Sequence, residues 1–102
     1  MSSNDDPGGW ALPAFKPDDA LQTLRRELRA LGLTEREGRF ERRGTPIARA
    51  VVDGALLRAA RVKRPSRTSP DWLDKALKNN ADVRSFVADL KQQLALWSDR
   101  DD

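Results

Sequence analysis

"IARAVVDGALLRAARVK", residues 47–63, is the stretch on which the fold turns. One reading is a β-hairpin about Asp53–Gly54, because a two-residue type I′ turn needs positive φ at both central positions and Asp-Gly supplies it. The other is a helix over 54–64 with Asp53 as its cap, since Ala, Leu and Arg favour helices. The β-branched Ile47, Val51 and Val52 decide for strands, and Asp-Gly then has a structural job. The preceding "GRFERRGTPI", residues 38–47, offers another segment and a turn centred on Gly44. A three-stranded antiparallel meander follows. A helical 54–64 would make the chain all-α instead.

A turn at 53–54 sets Val52 opposite Ala55, Val51 opposite Leu56 and Arg49 opposite Arg58. One sheet face then carries Ala48, Ala50, Val52, Ala55, Leu57 and Ala59, a charge-free surface of small residues suited to a close helix. The other carries Ile47, Val51, Leu56 and Val62, interrupted by Arg49 and Arg58. Like charges directly opposite are unfavourable by about 0.2–1 kcal/mol. A Glu from residues 35–41, or an external anion, is expected to relieve them.

Helices flank this segment. "DDALQTLRRELRAL", residues 18–31, aligns Leu21, Leu24, Leu28 and Leu31 in one stripe, with Asp18 and Asp19 at the favourable end of the helix dipole. Gly32 takes the position after the helix, and Leu33 follows where a Schellman ending wants an apolar contact back to Leu28. "SRTSPDWLDKALKN", residues 66–79, predicts a short helix, with Ser69 as N-cap, Pro70 at its first position and Asp71 in its first turn. Asn80 caps a longer helix whose stripe is Val83, Phe86, Val87, Leu90, Leu94 and Trp97. Two heptads of that stripe would also suit pairing of two chains, a homodimer where a monomer is the simpler expectation.

The class is therefore α+β: helix, three-stranded meander, short helix and long C-terminal helix, with the helices on the Ala-rich face. Leu21, Leu24, Leu28, Ala50, Leu57, Trp72, Phe86, Leu90 and Leu94 form the expected core. Residues 1–16 read as an arm, 17–98 as the domain and 99–102 as an acidic tail. Within the arm, "WALPAF" places Trp10 and Phe15 either on the domain's own core or on a protein partner.

The chain has no Cys, His or Tyr. Disulfides, thiolate nucleophiles, Cys-based zinc sites and the usual neutral-pH general base are thereby excluded. No GxxxxGK[ST] loop cradles a phosphate. Asp71, Asp74 and Lys75 are the nearest acid–base cluster, and a helix start accounts for them. The expectation is a non-enzymatic protein with no cofactor and no metal. The N-terminal "MSSNDDPGGW" lacks the basic and apolar regions of a signal peptide, and no apolar run reaches the roughly 20 residues of a membrane span, so a cytoplasmic location with no membrane partner is expected.

The net charge of +3 is unevenly placed: residues 25–67 hold thirteen Lys or Arg against five acids. An Arg-rich bacterial composition with solvated side chains would give the same balance. A basic middle between acidic ends also attracts polyanions. Arg42, Arg49, Arg58, Arg61, Lys63, Arg64 and Arg67 are the candidate nucleic-acid or anion contacts, acting through charge and shape with little sequence preference. The alternative is a protein-interaction module (adaptor, inhibitor or small subunit) that presents the same Arg face to an acidic partner, with Trp10 and Phe15 as anchors.

Overall fold

Pro17 opens the first element of the computed structural model, which describes residues 14–100. It begins α1 (Pro17–Ala30), where its missing N–H costs nothing, and Asp18 and Asp19 follow in the first turn. The helix ends as its sequence predicts. Gly32 N–H donates to Arg29 O and Leu33 N–H to Leu28 O, the paired bonds of a Schellman ending, with Gly32 at φ +92°.

Five strands follow in a simple meander: β1 (Thr34–Arg36), β2 (Arg39–Arg42), β3 (Thr45–Asp53), β4 (Leu56–Val62) and β5 (Trp72–Leu77). Neighbours in sequence are neighbours in the sheet, and every pair is antiparallel. The α+β class holds, and the helical alternative for 54–64 does not, since that segment is β4 paired on both sides. Three strands become five for two reasons. Glu37 and Gly38, both at positive φ, close a second tight hairpin that pairs β1 with β2. The expected short helix is a strand: Pro70 and Asp71 lead into β5, which satisfies the otherwise open edge of β4 from Val62–Trp72 to Leu57–Leu77. The helix propensity of Lys75, Ala76 and Leu77 is overridden by that pairing.

The β3–β4 register also departs from expectation. Asp53 pairs with Leu56, so the loop is Gly54–Ala55 and not Asp53–Gly54. Gly54, at φ +61°, takes the first loop position, where only that residue need be left-handed. Arg58 therefore lies opposite Val51 and Arg49 opposite Ala60. The shift moves cross-strand partners by two residues, Val52 meeting Leu57 and not Ala55, so the faces are not exchanged.

Between β2 and β3, Phe40 pairs with Ala48 but Glu41 pairs with Pro46, which leaves Ile47 as the extra residue of a bulge. Pro46, lacking an N–H, is tolerated beside such a bulge. Ile47 and Ala48 are consecutive yet both fully buried. The strand β2 itself is not interrupted, so Arg42 lies two residues from the buried Phe40 on the helix side, where its Nη1 donates to Ser98 Oγ at 2.8 Å.

The final helix, α2 (Asn80–Arg100), is capped one residue earlier than expected. Asn79 Oδ1 accepts from the Asp82 N–H at 2.8 Å, and Asp82 Oδ2 accepts from the Lys78 N–H at 2.9 Å. Val83, Phe86, Leu90, Leu94 and Trp97 are buried in the chain's own core, so the stripe that also suited pairing of two chains faces inward. Of the expected core, Leu24, Leu28, Leu57, Phe86, Leu90 and Leu94 are buried, whereas Leu21, Ala50 and Trp72 are partly so. Ala20, Leu33, Phe40, Ile47, Ala48, Ala59, Ala60, Val62 and Leu77, with Val83 and Trp97 of α2, complete it. Phe15 packs on this core as well, and Trp10 lies outside the described residues. Among the described residues, no helix is long and apolar enough to cross a membrane.

Candidate functional site on the outer sheet face

The register that moves Arg58 away from Arg49 assembles a different row of cations. Arg36 pairs with Arg39, Arg39 with Arg49, Arg49 with Ala60 and Ala60 with Asp74. Directly opposed residues share a face, so three arginines on three adjacent strands, spaced by about 4.8 Å, point away from the helices. The pairs Arg36–Arg39 and Arg39–Arg49 oppose like charges, which is unfavourable by about 0.2–1 kcal/mol. The next row places Val51 opposite Arg58, and Val51 is 57% exposed.

Carboxylates compensate the row incompletely. Arg39 Nη2 stands 3.7 Å from Glu41 Oε2, and Arg49 Nη2 stands 3.7 Å from Asp74 Oδ1. Both are loose for charge-assisted hydrogen bonds, which run near 2.7–2.9 Å. Arg36 makes no ion pair among the described residues. Arg58 is better served, with Nε and Nη2 at 3.1 and 2.9 Å from Asp53 Oδ2. The relief expected from a Glu of residues 35–41 thus reaches Arg39 through Glu41, whereas Asp74 and Asp53 serve Arg49 and Arg58.

Trp72 shares this face. Its ring is half-buried against the core, and the Arg49 guanidinium lies 4.4 Å from the ring centroid. Such a contact contributes about 0.5–2 kcal/mol and holds the guanidinium in place. It also covers the aromatic surface that a base would need for stacking. A depression of about 480 Å³ on this face is lined by Arg39, Arg49 and Arg58 together with Ala60 and the acidic residues Glu37 and Asp74. What it can do chemically is receive oxyanions on fixed, planar donors.

The seven cations singled out in the sequence do not converge. Arg49 and Arg58 stand on the outer face. Arg61 turns the other way: its Nε contacts Asp89 Oδ2 of α2 at 2.6 Å, Nη1 donates to Val62 O at 3.0 Å, and its side chain is 17% exposed. Its role is to clamp α2 to the sheet. Arg42 also faces α2. Lys63 pairs with Asp71 at 3.4 Å across the base of the β4–β5 loop, Arg64 is exposed in that loop, and Arg67 Nη2 donates to Arg43 O at 3.4 Å. The acid–base cluster is dispersed as well, since Asp74 and Lys75 alternate across β5 and project to opposite faces.

Sequence reading missed Arg36, Arg39 and Arg43. A signal for the first two existed: Glu37–Gly38 is a two-residue loop, and closing it sets Arg36 opposite Arg39. No protein-family model, curated protein or solved structure matches the chain.

Proposed function

We propose that the chain is a non-enzymatic nucleic-acid-binding protein whose outer sheet face contacts the phosphate backbone. The observation that carries this reading is the row Arg36–Arg39–Arg49. Three opposed guanidinium groups with loose or no carboxylate partners are destabilising by themselves and are relieved by a polyanion laid across the strands. Arg49, stacked on Trp72, is already oriented toward such a ligand. Because Trp72 is covered, contacts go to phosphates more than to bases, and sequence preference is weak.

The test is fluorescence anisotropy with labelled single- and double-stranded DNA and RNA. Three to four phosphate contacts imply that affinity falls by about two orders of magnitude between about 50 and 200 mM salt. An Arg36→Ala/Arg39→Ala/Arg49→Ala variant is expected to weaken binding at the lower salt by at least about tenfold. Absence of binding at the lower salt, or binding indifferent to the triple variant, overturns the reading. Polyglutamate binding to this face where no oligonucleotide binds would instead favour an acidic protein partner. Phe15 supports that alternative poorly, because its ring is packed against the core.

A further inference from the structure

A second collection of cations lies where the β2–β3 turn meets the long β4–β5 loop. Arg42, Arg43 and Arg67, with the hydroxyl residues Thr45 and Ser66, line a hollow of about 340 Å³ above Ile47. Among the described residues, no carboxylate lines it. Arg43 and Arg67 thereby contrast with the ion-paired cations elsewhere, among them Arg25 with Glu35, Arg58 with Asp53, Arg61 with Asp89 and Lys63 with Asp71.

The hollow is held together by its own backbone. Arg43 and Gly44 form the β2–β3 loop at φ +54° and +80°. A left-handed conformation is unfavourable for a residue with a Cβ, and Arg43 occupies it beside the cavity. Arg67 Nη2 donates to Arg43 O, tying the loop to the turn, and the remaining N–H groups of its guanidinium stay available. Ser66 Oγ accepts from the Ser69 N–H at 3.0 Å, which leaves its own hydroxyl proton to donate. Neither Arg43 nor Arg67 has a carboxylate partner among the described residues.

We infer that this hollow binds a phosphate group, either free or as a small phosphomonoester, with Arg43 and Arg67 as charged donors and Thr45 and Ser66 as hydroxyl donors. A tetrahedral dianion supplies acceptors in several directions, and guanidinium groups match two of its oxygens at once. The volume lies at the lower end of the range for small-molecule sites, which favours a phosphate carrying a small organic part. This site is separate from the outer face and does not depend on it.

The experiment is a two-dimensional ¹⁵N–¹H NMR titration of the full chain with inorganic phosphate, glycerol phosphate and chloride at matched ionic strength. Saturable shifts are expected at Arg43, Gly44, Ser66 and Arg67 with the two phosphates and not with chloride. Arg43→Gly suits the left-handed turn and so preserves the fold. Combined with Arg67→Ala, it is expected to weaken phosphate binding at least tenfold, whereas Arg39→Ala/Arg49→Ala leaves it unchanged. A 5′-phosphorylated oligonucleotide against its 5′-hydroxyl counterpart separates a nucleic-acid end from free phosphate as the source. Linear shifts shared with chloride, shifts confined to the outer face, or binding retained in the Arg43→Gly/Arg67→Ala variant overturns the site. Loss of oligonucleotide binding in the outer-face variant bears on the other proposal alone.

Discussion

The two faces of the one sheet are built from alternate residues of the same strands, yet they answer to different constraints. The inner face carries Ala48, Ala50, Val52, Leu57 and Ala59 and lies under the helices. Its small side chains let α1 approach, and its apolar area supplies the stability. The outer face carries Arg36, Arg39, Arg49 and Arg58, with Val51 exposed among them. Nothing in folding requires three arginines in a row there. One face is explained by packing, and the other is the surface proposed above to take a ligand.

The comparison is tested most severely at Leu57, which is fully buried. Leu57→Ala is expected to cost about 2–5 kcal/mol, read as a lower midpoint in urea denaturation. A cost under about 1 kcal/mol would mean that the inner face does not carry the core. Arg61 and Arg58 sharpen the contrast, being neighbouring arginines of β4 on opposite faces. Arg61→Ala removes the contact to Asp89 and is expected to cost about 1–3 kcal/mol. Arg58→Ala breaks a half-exposed surface pair and should cost about 0–1 kcal/mol. Equal losses in the same denaturation series would erase the distinction between clamp and free surface. Smallest of all is Val51→Ala, expected within about 0.5 kcal/mol of the parent because the side chain already faces water.

Much of the scaffold was legible along the chain. The stripe from Leu24 to Leu28, the Schellman ending at Gly32 and the stripe of α2 are local patterns, set by residues within one or two turns of each other. The inner face of β3 and β4 was legible too, since a register shift of two residues leaves the faces unchanged. The outer row was not. Arg36, Arg39 and Arg49 are separated in sequence and meet only once two turns and a bulge have set the pairing. Arg61 misled for the same reason: in sequence it belongs with Lys63 and Arg64, while in space it belongs to Asp89.

By itself, then, the sequence determined both helices, their apolar stripes, the strand character of 47–62 and the excess of positive charge in the middle of the chain. Those features depend on propensity, capping and periodicity, which act over a few residues. Only the tertiary structure decided that 72–77 is a strand, that Gly54–Ala55 is the turn and which cations stand together. Each of these rests on hydrogen bonds or charges contributed by residues distant in sequence. The edge of β4 recruited a segment with helical composition because an unpaired buried edge costs more than the lost propensity.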